Sequence, residues 1–137
     1  MKKLVFLTAL ILLSGLAFGQ TLQKGNLVGF HVMKITLQPG VTMEKFIDFY
    51  NSKVVPEYGK NYPGGKGFVA KSIRGENKDS FGVFMVFQTE KDRDKYFKPD
   101  GSSTDLGIAA ENKLKPVIEE LNKLGTMTTI YNDWLVL

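Results

Sequence analysis

Two strand-like segments of this chain are apolar on both of their faces. Residues 27–37 read LVGFHVMKITL, and residues 81–89 read FGVFMVFQT. Because successive side chains of a strand point to opposite sides of a sheet, both sides of the resulting sheet need an apolar cover. A layer of helices covers one side. An apolar face left open on the other side would be unusual for a monomer, so the pattern predicts a second apolar surface packed against it.

The predicted elements follow the order strand, helix, strand, strand, helix, strand. The strands are expected at residues 27–37, 68–74, 81–89 and 127–136. Apolar residues at helical spacing indicate a first helix from Thr42 through Val54 and a last helix from Ser103 or Thr104 to about residue 124. This βαββαβ order predicts a ferredoxin-like α+β fold, with one antiparallel sheet and two helices on one face. A second copy packed sheet against sheet would close a dimeric barrel.

Proline and charged residues indicate where the helices end. Pro56 is expected to stop or bend the first helix, and residues 57–67, which contain four glycines, are expected to form a loop. Pro116 is expected to split or bend the last helix, and Gly125 is placed to cap its end. Residues 90–97 predict a short helical turn, and its charged run EKDRDK is interpreted as a solvated face.

The N-terminal segment has the pattern of a secretory signal peptide. Lys2 and Lys3 precede an apolar run over residues 4–18, and small residues lead to a cut after Gly19. The alternative is an N-terminal membrane anchor, but the run of about 15 residues is shorter than the ~20 that span a bilayer as a helix. We therefore expect residues 1–19 to be removed and the protein to be exported, as a periplasmic or secreted protein.

The expected mature protein is a single domain, residues 20–137. Loss of Lys2 and Lys3 from the 18 Lys and Arg leaves 16 against 14 Asp and Glu, and so a net charge of +2. That balance does not indicate a basic surface of the kind that binds nucleic acid. After cleavage the long apolar stretch is gone, so we expect no membrane attachment.

Cysteine and histidine counts narrow the chemistry further. The chain has no Cys and one His. Zinc sites with Cys ligands, iron–sulfur clusters and a thiol nucleophile are therefore excluded, as is a site that needs two imidazoles from one chain. No phosphate loop, calcium loop or nucleophile elbow is present, so the sequence predicts neither a cofactor nor a metal.

The single histidine is the strongest candidate for a functional group. His31 shares a strand face with Met33 and Ile35. Phe49 and Tyr50 of the first helix are expected to cover that face and to form a small apolar pocket with one titratable group. The alternative is a core histidine that is hydrogen-bonded to the backbone or to a tyrosine.

Other candidates depend on their polar or aromatic side chains. The hydroxyl groups of Tyr50 and Tyr96 are candidates for orienting a ligand, with core packing as the alternative. Trp134 is a candidate for stacking on an aromatic ligand, with packing in the core or at a dimer interface as the alternative.

Two stretches resemble a known superfamily. FHVMKITLQPGVTMEKFIDFY, residues 30–50, resembles the opening of the stress-responsive dimeric α/β barrel proteins, in which a strand that begins with a His leads to a turn and a Val-Thr pair. VFMVFQTEKDRDKYF, residues 83–97, is similar to the wider dimeric barrel superfamily, which includes antibiotic-biosynthesis-type monooxygenases and polyketide cyclases.

This resemblance implies roles for particular residues. In the cyclase branch, a strand-1 His and a second His act as acid and base with a Tyr, and His31 and Tyr96 match the first His and the Tyr by position. The second His would follow Tyr96, where this chain reads KPDG. In some monooxygenase-type barrels an Asn contacts the ligand, which makes Asn51 a candidate for that contact.

Three functions are consistent with these patterns. We favour an exported homodimeric binding protein that holds a small apolar or aromatic ligand in a pocket bordered by His31. A cofactor-independent monooxygenase or cyclase acting on aromatic or polyketide-like compounds is the second, although a fold does not fix a function. A structural or interaction protein whose pocket is filled by its own side chains is the third.

Overall fold

The computed structural model describes residues 22–137, and the expected signal peptide, residues 1–19, lies outside that range. A four-stranded antiparallel sheet has the strand order β2-β3-β1-β4. The strands are β1 (Leu27–Leu37), β2 (Gly65–Lys71), β3 (Phe81–Phe87) and β4 (Gly125–Leu135). With the helices packed on one side of the sheet, this order is the ferredoxin-like plan, and it confirms the predicted fold class.

Helical structure connects β1 to β2 and β3 to β4. The segments are α1 (Met43–Phe49), a π turn (Tyr50–Val54), α2 (Val55–Asn61), α3 (Glu90–Arg93) and α4 (Asp105–Asn122). As expected, the hydroxyl of Thr42 caps α1, where it accepts a hydrogen bond from the Lys45 amide at 3.2 Å. Thr104 caps α4 in the same way through the Gly107 amide, also at 3.2 Å.

Pro56 was expected to stop or bend the first helix, and the first of these alternatives, a stop, is wrong. Proline lacks an N–H group, and its ring crowds the carbonyl group four residues earlier, which in this chain belongs to Ser52. The wider π turn lies at that point, and the Val55 amide donates to the carbonyl of Tyr50, five residues earlier. The helix therefore continues through Asn61.

The next strand begins earlier than expected because the predicted loop is mostly helix and strand. β2 starts at Gly65 instead of Phe68. A Cβ atom on Gly65 would lie 2.9 Å from the ring of Phe87 on β3, so the close pairing of these strands requires glycine at this position.

The last helix continues past its internal proline, as the first helix does. Pro116 lies inside α4 and does not split it. Its side chain is exposed, on the side of the helix away from the sheet. Lys123 caps the end of α4, and Gly125 is the first residue of β4 instead of a helix cap.

The core lies between the helices and one face of the sheet. It contains two clusters of buried side chains. The first cluster is Leu27, Tyr62, Phe87, Tyr96, Ala110 and Leu114, and the second is Met33, Phe46, Tyr50, Val54, Val83 and Leu121. Odd-numbered residues of β1 face this core, as the two-residue period predicts. Among residues 22–137, no helix is long and apolar enough to cross a membrane.

The opposite side of the sheet, here called the open face, is apolar and exposed. Phe30 and Phe84 stack at its centre, with ring centroids 4.4 Å apart. Ile130, Trp134 and Phe68 around them are 76%, 62% and 51% exposed. Of the two sets of side chains on β3, the one with Phe84 and Val86 lies on the open face and lacks a helical cover.

Candidate ligand cavity

A cavity of about 310 Å³ lies between the sheet and the helices. Its walls combine apolar side chains with tyrosines and a few charged groups. The lining residues include His31, Tyr50, Tyr58, Tyr62, Val83, Met85, Phe87, Arg93, Phe97, Glu111, Met127, Thr129, Tyr131 and Asp133. This volume lies at the lower end of the range of ~300–1,000 Å³ that is usual for small-molecule sites.

Strand pairing brings the polar groups of the sheet wall together. His31 of β1 pairs with Tyr131 of β4, and Gly29 pairs with Asp133. The His31 and Tyr131 rings stack at a centroid distance of 5.2 Å and an angle of 17°. This stacking fixes the plane of the imidazole ring at the cavity wall.

Gly29 leaves space for two of these groups. A Cβ atom at Gly29 would lie 3.1 Å from Oδ1 of Asp133 and 3.6 Å from Nε2 of His31. The carboxylate and the imidazole therefore both approach the same point beside the glycine backbone, and a side chain there would crowd them.

Arg93 joins α3 to the sheet at the edge of the cavity. Its guanidinium group pairs with the carboxylate of Asp133, with Asp94 at 2.7 Å and with Glu90 at 3.7 Å. The Arg93 side chain is only 18% exposed. The charged run 90–95 is therefore not a uniformly solvated face, since this residue turns inward.

Tyrosines form the helical wall of the cavity. The ring of Tyr62 stacks between those of Tyr58 and Phe97, with centroids 5.6 Å and 5.7 Å away. Tyr50 and Tyr62 are only 3% and 2% exposed. Within residues 22–137, neither of their hydroxyl groups has a protein hydrogen-bond partner. Every fully buried side-chain N or O atom in that range does have a partner, so these two hydroxyl oxygens must retain some accessible surface. Both hydroxyls therefore open onto the cavity.

Burial sets the protonation of these groups. It lowers the pKa of His31, and the nearby Asp133 carboxylate opposes that shift. Burial also raises the pKa of Tyr50, Tyr58 and Tyr62, and Glu111 contributes to the rise at Tyr58 and Tyr62. At neutral pH the cavity therefore presents a neutral imidazole and protonated phenols.

The pKa of His31 predicts a pH-dependent stability. The ordinary pKa of about 6.5 applies in the unfolded chain and the folded value is lower, so the unfolded state binds more protons at acidic pH. The contribution of His31 to the free energy of unfolding should be constant above pH 7 and should fall as the pH drops from about 6.5 towards 5. Urea unfolding at pH 7 and pH 5 measures this effect, and it should be smaller in His31→Gln.

His31 is the only histidine of the chain, so no other imidazole contributes to that difference. An equal difference between the free energies of unfolding at pH 7 and pH 5 in the wild-type protein and in His31→Gln would contradict a lowered pKa of His31.

The structure brings two of the predicted site residues, His31 and Tyr50, to the cavity wall. Three of the predicted ligand contacts, Met33, Ile35 and Phe49, lie instead in or against the second core cluster.

The remaining three lie elsewhere. Tyr96 is buried behind Tyr62, and its hydroxyl donates to the carbonyl of Pro63 at 3.1 Å. Asn51 is exposed on the π turn. Trp134 lies on the open face, where it fits the alternative of dimer-interface packing.

Sequence reasoning missed most of the polar lining. The missed residues are Tyr58, Tyr62, Arg93, Glu111, Tyr131 and Asp133. Alternation along the last strand does place Tyr131 and Asp133 on one face, and antiparallel pairing with β1 would have set them beside His31. Tyr58 and Tyr62 were hidden because their segment was expected to be a loop. In the part of the chain that the structure describes, no group of three His, Asp or Glu side chains could hold a metal ion.

Comparisons with known proteins show no family for this chain. The sequence matches no protein-family model and no curated protein. A variant of SnoaB, a cofactor-independent oxygenase from Streptomyces nogalater, is similar in structure at 13% identity and a TM-score of 0.46, over 82% of this chain and 93% of that one. A dimeric ferredoxin-like protein of unknown function from Bacteroides fragilis gives 13% identity and a TM-score of 0.44, over 82% and 97%.

An ethyl tert-butyl ether family protein from Bacillus halodurans gives 14% identity and a TM-score of 0.38, over 76% of this chain and 96% of that one. The ferredoxin-like assignment itself comes from the strand order and helix placement of this chain.

Proposed function

We propose that this protein binds a small, flat, mainly apolar molecule in the cavity between its sheet and its helices. The observation that carries the proposal is the pair of deeply buried tyrosines, Tyr50 and Tyr62, whose hydroxyl groups face the cavity without a protein partner. Both hydroxyl groups are reachable from the cavity, and each can donate one hydrogen bond and accept others. A ligand with a polar group, or water in its absence, would complete these bonds.

His31 gives the opposite wall a second kind of contact. Because its imidazole is neutral, one ring nitrogen can accept a hydrogen bond and the other can donate one. Val83 and Met85 beside it offer an apolar surface to the body of a ligand. This combination of apolar walls and a few polar groups is typical of small-molecule sites.

A neutral aromatic alcohol, 2-naphthalenemethanol, tests the proposal. Thr129 lines the cavity from an exposed position on β4, so Thr129→Trp should fill the cavity without disturbing the core. Thr126→Trp adds the same ring on the other face of the same strand and is the matched control. In an NMR titration, we expect saturable shifts of the amides of His31 and Thr129 in the wild-type protein, at least tenfold weaker binding in Thr129→Trp and unchanged binding in Thr126→Trp.

Shifts confined to the open face around Trp134, or equal binding by both tryptophan variants, would refute the cavity as the site.

The neutral imidazole also favours a second candidate, a cofactor-independent enzyme, because such a group can take a proton from a substrate near pH 7. His31→Gln separates the two functions. A binding protein should lose only part of its affinity in this variant, whereas an enzyme should keep its affinity and lose nearly all turnover.

We also propose that two copies pair through their open faces. Adjacent strands place Val32 beside Ile130 and Phe30 beside Phe84, so the apolar side chains form one continuous patch across the sheet. A patch of this kind marks an interface. A second copy related by a two-fold axis presents the same apolar surface, so each copy can cover the open face of the other in a homodimer.

Export follows from the N-terminal pattern as a further proposal. Cleavage after Gly19 would leave a subunit that begins at Gln20, only a few residues before β1. Backbone hydrogen bonds join Gly25 and Asn26 to Val136, so the start of the described segment is tied to its end.

A further inference from the structure

One corner of the cavity combines an acidic group with aromatic rings. Glu111 of α4 lies there with Tyr58, Tyr62 and Phe97, and these four residues are called the aromatic–acid corner. The Glu111 carboxylate accepts a hydrogen bond from the hydroxyl of Ser103. It is close enough to Tyr58 and Tyr62 to act on the charge of both phenols.

The charges that line the cavity do not cancel. Arg93 is the cationic group of the lining, and three carboxylates, those of Glu90, Asp94 and Asp133, already surround it. Glu111 has the neutral Ser103 as its partner, and no Lys or Arg nitrogen of residues 22–137 pairs with it. With His31 neutral, the cavity carries an excess of negative charge.

The phenol oxygens of the corner supply further attraction for a cation. Tyr58 and Phe97 cover both faces of the Tyr62 ring, so Tyr62 contributes through its oxygen and not through a ring face. The hydroxyl oxygen of Tyr62 has a free lone pair and no protein donor within the described residues, and its residue is almost completely buried. An ammonium group has three N–H donors and no acceptor, and so it matches a corner that offers a carboxylate and phenol oxygens.

We propose that the cavity selects an arylalkylamine in its protonated form, with the ammonium group in the aromatic–acid corner and the apolar body against Val83 and Met85. This inference rests on the proposed binding function and adds the charge of the ligand to it. A carboxylate of the same shape would face Glu111 and would be disfavoured by like-charge repulsion.

Three probes of the same shape test the charge preference. They are 2-naphthylmethylamine, 2-naphthalenemethanol and 2-naphthoate, which carry a positive, a neutral and a negative group. By calorimetric titration of the full-length mature protein at pH 7, we expect the amine to bind about tenfold more tightly than the alcohol, and the carboxylate to bind most weakly.

Two variants show where the preference arises. Glu111→Gln should bring the affinity for the amine close to that for the alcohol, so that the ratio of the two affinities falls from about ten towards one. Glu119→Gln removes the same charge from an exposed position of the same helix, outside the cavity lining, and should keep the tenfold preference.

The possible failures are distinguishable. Equal binding of amine and alcohol, or a preference that survives Glu111→Gln, overturns the charge selection and leaves the binding function intact. If none of the three probes binds saturably, the proposed function fails together with this inference.

Discussion

Ile130→Lys is expected to convert the protein from a dimer to a monomer. Ile130 is 76% exposed on the open face and beside Val32, so the core of a single copy does not depend on it. In a sheet-to-sheet dimer, the substitution buries one unpaired ammonium group from each copy near the centre of the interface. We expect the dissociation constant to rise roughly 100-fold or more.

Ile73→Lys is the matched control. Ile73 is 73% exposed and lies in the connection after β2, outside the sheet. This variant should keep the dimer mass. Native mass spectrometry of protein from the exported fraction of its own host measures both the number of subunits and the mass of each subunit, which gives its first residue. We expect a dimer of residues 20–137. A wild-type monomer, or a dimer that survives Ile130→Lys, would remove the open face as an interface.

Gly107→Ala is expected to destabilise the fold strongly. A Cβ atom at Gly107 would lie 2.2 Å from the carbonyl oxygen of Tyr96, so α4 would have to move away from the preceding segment. Overpacking of this kind typically costs about 1–3 kcal/mol, and we expect the upper end because the clash is with backbone. Phe97 follows Tyr96 and lines the cavity, so ligand affinity should fall as well.

Gly59→Ala should have the opposite sign. Gly59 lies in α2, where an added Cβ atom would meet nothing within 4 Å. Because glycine inside a helix costs roughly 0.5–1 kcal/mol relative to alanine, this variant should be stabilised by about that amount. Urea unfolding measures the free energy of unfolding of Gly107→Ala and of Gly59→Ala, each relative to the wild-type protein. Similar free energies of unfolding for the two would refute the close approach of α4 to Tyr96.

The sheet could be predicted from the sequence because a two-residue period is a local signal. Alternation along β1 separated the face of His31 from the face of Phe30, and the structure has the same division. The paired apolar faces then indicated that helices would cover one side and leave the other open. Neither step needed knowledge of contacts that are distant in the sequence.

The cavity could be predicted only in part, because its polar lining depends on contacts between distant residues. Arg93 and Asp133 are 40 positions apart, and a charged run does not show which of its members turns inward. Tyr58 and Tyr62 were assigned to a loop because a proline normally ends a helix. Their position depends on the π turn, for which no residue pattern gave a signal.

The π turn at Tyr50–Val54 has an evolutionary consequence. Such a turn holds one residue more than an α turn, so it corresponds to a single-codon insertion in an ordinary helix. Removing that residue would rotate the rest of the first helix, through Asn61, by about 100° relative to the part before the turn. Tyr58 and Tyr62 would leave the cavity and other side chains would replace them, while the sheet would stay as it is. In this fold, a change of one residue in the length of the first helix is therefore a route by which the side chains that line the cavity can change on the same scaffold.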